Sequence, residues 1–206
     1  MFSCKGAFGL PYEVVFMENS TVTALTFLDP LEQLLFAERY TLTPLKLDEE
    51  VETVAVIQQT LLRYPEEGTV LASTRRRIPR FFSSYEEEGA CYLVLRDCLT
   101  GSIIGGAGVR PFAGLDPREH IGEIPELVIA NPYRGLGLGR KILNACIQKA
   151  KELAYVRLYL EATSEMRHAQ SLFRRSGFRP VEFQQKEMPS NRTEIFPSYF
   201  VLESPS

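Results

Sequence analysis

The sequence predicts an α/β (α+β) fold, a mixed sheet flanked by helices and folded as one domain. Three observations carry that prediction. Strand-like and helix-like periodicities alternate through the middle of the chain, hairpin signals lie toward both ends, and no linker divides the 206 residues. That length is enough for one full core, or for one domain with an extension. With 45% hydrophobic and 24% charged residues, neither disorder nor a membrane class is favoured. The net charge of −3 gives no general attraction to nucleic acid or to acidic lipid. No apolar run approaches the ~20 residues needed to span a bilayer. The first residues lack a signal peptide's layout, because Pro11 and Glu13 interrupt their apolar patch. Cys4, Cys91, Cys98 and Cys146 show no zinc spacing and read as reduced thiols of a cytoplasmic protein. His120 and His168 are far apart in sequence, so no metal is expected.

In chain order, residues 1–38 read as an N-terminal extension and 39–206 as the folded domain. Within the extension, Tyr12 to Met17 and Thr21 to Phe27 are rich in β-formers and suggest a hairpin, and Asp29-Pro30 can open a short helix. Tyr40 to Leu47 reads as the first strand. Asp48-Glu49-Glu50 supplies an N-cap and an acidic first turn for a helix that turns Val51, Val54, Ala55, Leu61 and Leu62 inward, and Tyr64-Pro65 ends it. Arg75-Arg76-Arg77 and Arg80 form the densest basic run and read either as a solvated helix face balanced by Glu86-Glu87-Glu88 or as contacts to a ligand's carboxylate or phosphate. Cys91 to Arg96 and Ser102 to Arg110 are two strands joined by a turn at Asp97 to Gly101. Glycines inside the second of these mark a bulge or a close backbone approach. A fourth strand runs from Glu123 to Ala130 and a fifth from Val156 to Ala162. Thr163-Ser164 caps a helix carrying Ala169, Leu172 and Phe173, which Gly177 closes. Phe178 to Lys186 and Glu194 to Leu202 form a closing pair of strands.

The most informative stretch follows the fourth strand. Gly135, Gly137 and Gly139 alternate with Leu136 and Leu138, Arg134 and Arg140 bracket them, and a helix follows with Ile142, Leu143, Cys146, Ile147, Ala150 and Leu153 on one face. Glycines bare the backbone N–H groups to an anion, and the helix aims its positive dipole end at the same place. The loop is a phosphate cradle. The dinucleotide fingerprint GxGxxG fails, because its last glycine falls on Arg140; the P-loop GxxxxGK[ST] fails because Ile142 follows Lys141.

Arg134-x-x-Gly137-x-Gly139 resembles the R/Q-x-x-G-x-G/A signature of the GNAT acyltransferase superfamily, and residues 158–178 resemble that family's strand–helix ending in A..LY...GF. The resemblance covers about residues 40–190. It implies a mostly antiparallel sheet with a V-shaped splay between strands four and five, and acetyl-coenzyme A as co-substrate without a metal. It places the pantetheine arm against Leu127, Val128 and Ile129, and the pyrophosphate on the amides of Gly135, Leu136, Gly137, Leu138, Gly139 and Arg140, with Arg134 beside them. The implied reaction is transfer of an acetyl group to an amine acceptor: a small molecule, an amino acid or a protein N-terminus. Neither nucleic acid nor membrane is implied as a partner; a homodimer is admitted.

Such a transfer needs a base, since only a neutral amine attacks. Glu126 and Glu161 are the two candidates, with Glu123 a third. Phe173 stands where relatives usually carry a tyrosine that protonates the leaving thiolate, and Met166 where an asparagine is frequent. Tyr133 and Tyr159 are substitutes for that acid, which stays unassigned. A cradle kept with turnover lost, in an acyl-coenzyme sensor or interaction module, is the alternative that Phe173 motivates.

Overall fold

The computed structural model describes residues 38–61, 74–163, 165–181 and 198–203. The hairpin and short helix expected before residue 38 and the stop at Tyr64-Pro65 lie outside them. The strands are β1 (Tyr40–Pro44), β2 (Cys91–Asp97), β3 (Ile103–Pro111), β4 (Ile121–Glu123), β5 (Val128–Ile129), β6 (Arg157–Ala162), β7 (Arg179–Val181) and β8 (Ser198–Glu203). They form one sheet in the order β1-β2-β3-β4-β6-β8-β7, with β5 pairing β3. Every pairing is antiparallel except that of β4 with β6. This is the mixed, mostly antiparallel sheet that the sequence predicts.

The helices α1 (Glu50–Leu61), α2 (Phe81–Ser84), α3 (Leu138–Glu152) and α4 (Arg167–Arg175) flank the sheet. One core cluster joins Leu93, Leu95, Ile104, Ile124, Leu158 and Leu160 to Ile142 and Leu143 of α3 and Phe173 of α4. A second, on the other face, joins Tyr92, Val94, Ile103 and Val128 to Ile57, Leu61, Phe81 and Tyr85. The helix after the glycine loop buries Ile142, Leu143, Cys146 and Ala150, as its spacing predicts. Gly177, at φ 90°, ends α4 with Phe178 N–H donating to Phe173 O at 3.0 Å and Gly177 N–H to Arg174 O at 3.2 Å.

Several local expectations are corrected. Val51 does not face inward: it is 81% exposed, and Thr53, Ile57, Thr60 and Leu61 form the buried stripe of α1. Asp48 is not the cap. A 3-10 turn at Leu47–Glu49 precedes α1, and the Glu49 carboxylate accepts the Lys46 N–H at 3.0 Å. Thr163-Ser164 does not cap α4 either. Its N-cap is Met166, whose N–H reaches Thr163 O, and Ser164 lies outside the described residues. The basic run is not wholly solvated, because Arg77 turns inward.

The largest departure is in the strand expected over 123–130, which is broken in two. After Glu123, the Ile124 N–H still donates to Tyr159 O of β6 at 2.9 Å. Pro125 then offers no N–H, and Glu126 takes φ 50°, a left-handed conformation that costs a residue with a Cβ of order 1–3 kcal/mol. Beyond the break β5 pairs with β3 alone, Gly105 opposite Ile129 and Gly106 opposite Val128. What holds Glu126 there is its side chain, which is fully enclosed. Oε1 accepts from Thr74 Oγ1 at 3.0 Å and from Arg77 Nε at 2.8 Å, with Arg77 Nη2 on the same oxygen; Oε2 accepts from Tyr85 Oη. The turn is thereby tied to residues 74–85. Burial, then the Glu126 charge, push the Tyr85 phenol well above its ordinary pKa, so it stays a donor.

Two predictions follow from this packing. Glu126→Ala leaves the Arg77 guanidinium, 14% exposed, without its counter-charge; stability in urea denaturation should fall by roughly 3–5 kcal/mol. Gly105→Ala places a Cβ 2.4 Å from Val128 O, a backbone atom that cannot swing aside. The denaturation midpoint should drop by the equivalent of ~1–3 kcal/mol; an unchanged midpoint would mean that β5 does not lie against β3.

Candidate active site

Where β5 leaves the sheet's main path, a cavity of about 1120 Å³ opens between it, β6 and α4. Its wall includes Leu127 and Ile129, the loop residues Arg134 to Gly137, and Gly139 and Arg140. Val128 and Leu138 point away: both are buried, Val128 in the core beneath α1 and Leu138 in that beneath α3.

Hydrogen-bond direction along β5 decides what its free edge offers. Ala130 N–H donates to Ile104 O at 2.8 Å, so residues 130 and 104 form a hydrogen-bonded pair. The next pair, Ile129 with Gly105, is then the non-hydrogen-bonded kind, and the Ile129 amide group turns to the opposite edge. Arg134 agrees with this, since its Nε donates to Ile129 O at 3.0 Å. The Ile129 N–H and C=O therefore face the gap between β5 and β6.

The glycine loop behaves as its composition predicts. Gly135 and Gly137 take φ 80° and 76°, and Gly137 is the N-cap of α3. Carbonyl Gly137 O accepts from Arg140 N–H at 3.1 Å and Lys141 N–H at 3.2 Å. Among the described residues, the amides of 135–139 make no backbone hydrogen bond. Five N–H groups at a helix N-terminus, with Arg134 and Arg140 beside them on the cavity wall, fit a diphosphate. A Cβ at Gly139 would come within 3.2 Å of Leu172 Cδ2, so α4 packs closely against the loop here.

Four glutamates border the cavity, Glu123, Glu126, Glu161 and Glu165, and the first three are the sequence candidates on the broken strand and β6. Glu126 is committed to Thr74, Arg77 and Tyr85 as described. Glu123 is different. Its Oε1 lies 3.6 Å from Arg110 Nε, too long for a hydrogen bond, and neither atom finds another partner among the described residues. Burial pushes its pKa up to about 7; the Arg77 and Arg110 charges pull it down, and Glu126 and Glu161 add to the rise. Glu161 stands on β6, two residues beyond Tyr159, the register partner of Glu123. The sequence offered Glu123 only as a third choice, because desolvation and the surrounding guanidiniums are tertiary facts.

The absent tyrosine has a structural account. Phe173 is buried, its ring 5.6 Å from Phe200 and 6.3 Å from Phe178, and no hydroxyl is on it to give. Tyr133 does not replace it, being hydrogen-bonded to Asp97 and packed on Tyr40. Tyr159 does line the cavity. Cys91, Cys98 and Cys146 are free thiols; burial pushes Cys91 and Cys146 upward, away from thiolate chemistry. Among the described residues no group of three His, Cys, Asp or Glu side chains could hold a metal, and no helix is long and apolar enough to cross a membrane.

Comparison with known proteins agrees with this geometry. The chain is 25% identical over 142 residues to the uncharacterized N-acetyltransferase YjgM of Escherichia coli (strain K12), covering 68% of this chain and 81% of that protein. Its fold resembles an acetyltransferase of the GNAT family from Staphylococcus aureus Mu50, with a TM-score of 0.61, 16% identity, and 80% and 98% of the two chains covered. It also resembles a GNAT superfamily phosphinothricin acetyltransferase from Sinorhizobium meliloti in complex with acetyl-coenzyme A, with a TM-score of 0.65, 17% identity, and 81% and 89% covered. Residues 55–178, more than half of the chain, match the model of the Acetyltransferase (GNAT) family, and the chain belongs to that family of acetyltransferases.

Proposed function

We propose that the protein moves an acetyl group from acetyl-coenzyme A to an amine acceptor, with Glu123 as the base. The observation that carries this assignment is a carboxyl group with a pKa of about 7 on the wall of the cavity into which the free edge of β5 opens. A base near neutrality is half ionised at working pH and still strong enough to take a proton. Glu126, one of the two candidates that the sequence puts ahead of Glu123, is passed over because donors occupy both its oxygens. The Glu161 charge adds to the rise at Glu123.

The coenzyme, when bound, supplies the activated acetyl group. The residues that would hold it are the amides of 135–139 with Arg134 and Arg140 for the diphosphate, and the Ile129 N–H for a pantetheine carbonyl, as in strand addition, the Ile129 C=O being taken by Arg134. A backbone N–H of β5 near the thioester would steady negative charge on its oxygen. Glu123 draws the proton from the acceptor nitrogen. The low-pKa thiol leaving group tolerates the lack of a hydroxyl at Phe173. Coenzyme binding without turnover on any amine would instead favour the sensor reading.

Glu123→Gln tests the base. The kcat/KM of the native enzyme should rise with pH through an inflection near 7, and the variant should lose that inflection along with about 10²–10⁴-fold of activity. An inflection kept in Glu123→Gln assigns the base elsewhere. Stability gives an independent reading. The folded pKa of about 7 lies above the ordinary 4.5, so the unfolded chain ionises Glu123 first. Its contribution to stability is unpenalised below about pH 4.5 and falls as pH rises toward 7. Thermal midpoints of the variant should lack that decline.

Gly137→Asp tests the cradle. Aspartate tolerates the left-handed conformation better than most residues, yet its charge stands among the amides meant for phosphate. Calorimetric affinity for coenzyme A should be lost while the circular-dichroism spectrum is kept; unchanged affinity would remove the diphosphate assignment.

A further inference from the structure

The cavity wall beyond Glu123 has a chemistry that acetyl transfer alone does not explain. Register sets Glu123 of β4 beside Tyr159 of β6, and Glu161 of β6 beside Tyr199 of β8. Register partners share a face, and Tyr159 and Glu161 are two residues apart on one strand, so all four side chains stand on the same face. The other face carries Leu158, Leu160 and Ala162 into the core under α3 and α4. Phe112, just past β3, meets Tyr159 edge to face, with centroids 5.0 Å apart and planes at 64°, and lies 6.5 Å from Tyr199. The three rings and both carboxylates all border the cavity.

Charge narrows what this surface accepts. Glu123, Glu126 and Glu161 face Arg77 and Arg110, and Arg77 is held by Glu126. Glu126 and Arg77 offset each other, and of the cavity's other arginines Arg134 and Arg140 stand at the glycine loop and Arg167 and Arg175 on α4. The carboxylates on the ring face are Glu123 and Glu161, and with Glu123 ionised they attract a cation there. Aromatic faces add to the attraction for a cation and pack apolar surface beside it. Arg76, exposed at the cavity's border, is what an acceptor carboxylate would pair with.

We propose that the acceptor is a primary monoamine carried on an apolar, ring-bearing body: Phe112, Tyr159 and Tyr199 pack the body, and Glu123 and Glu161 face the ammonium. This rests on the acetyl-transfer reading above. The ammonium gives one proton to the Glu123 carboxylate and keeps its electron pair for the acetyl carbon. An N–C bond forms and the C–S bond breaks. The second proton, from the nitrogen, ends on the departing thiolate, giving an amide and free coenzyme A.

The test measures thiol release with acetyl-coenzyme A and four acceptors: 2-phenylethylamine, n-hexylamine, phenylalanine and spermidine. The phenylethylamine kcat/KM should exceed that of phenylalanine by about tenfold or more and lead hexylamine by about two- to tenfold. Tyr159→Leu and Tyr199→Leu should raise the amine KM several-fold and leave the acetyl-coenzyme A KM within about twofold; Tyr159→Phe, which keeps the ring, should restore it. Equal or better turnover of phenylalanine, with loss of that activity in Arg76→Gln, overturns the proposal in favour of an amino-acid acceptor. Preference for spermidine, or no reaction with any amine, overturns it too. Calorimetry with coenzyme A on the same preparation separates the two levels: absent binding, or binding without turnover of any acceptor, counts against the acetyl-transfer reading, whereas binding and turnover without the amine preference sink this proposal alone.

Discussion

A buried carboxylate, that of Glu126, sets the geometry from which the site follows. Its backbone is left-handed, at a cost that an ordinary turn avoids by using glycine. Donors from Thr74, Arg77 and Tyr85 offset that cost, and hydrogen bonds to a charged acceptor are among the stronger ones, roughly 1.5–3 kcal/mol each. Were the turn regular, residues 121–130 would continue as one strand along β6 and the sheet would close over the gap. The free Ile129 edge exists because the strand breaks.

The same arrangement sets the acidity of Glu123. Burial raises it, and two guanidiniums hold the rise to about 7. One of the two is Arg77, which therefore acts twice: it holds the turn through Glu126 and moderates the neighbouring acid through space. The strand break and the proton-accepting group are coupled by one cation. A substitution at Arg77 alters both, and its effect on rate cannot be assigned to either without a pH profile.

Much of the middle of the chain was legible because its signals are local. The apolar stripe of α3, the glycine loop, the turn at Asp97 to Gly101 and the Gly177 terminator each depend on neighbours within a few residues, and all appear where the sequence puts them. What was not legible is tertiary. Val51 fits the inward stripe of α1 by spacing, yet it is exposed while Thr53, two residues on, is buried. Arg77 looked like its solvated neighbours Arg75 and Arg76, and only a buried acid 49 residues away turns it inward. The rings at 112, 159 and 199 belong to three separate segments, so no window of sequence groups them. Phe173 was read correctly as a missing hydroxyl; that its ring completes a packed trio with Phe178 and Phe200 was not.

The roles of the two acids on the broken strand follow from phase. A regular strand sends alternate residues to opposite faces, so Ile124, Glu126 and Val128 should share one. They do not: Ile124 joins the core under α3, whereas Val128 joins the core under α1. The break at Pro125-Glu126 has shifted the phase by one residue, as a bulge does. Glu123, before the shift, and Glu126, after it, therefore both reach the α1 side, where a regular strand would have put them on opposite faces. Residues 74–85 cover that side at Glu126 and supply it with four donors, but Arg110 stops 3.6 Å short of Glu123. One acid ends fully bonded and the other ends poised over the cavity, and the difference comes from where the covering segment reaches, which residue identity alone does not reveal.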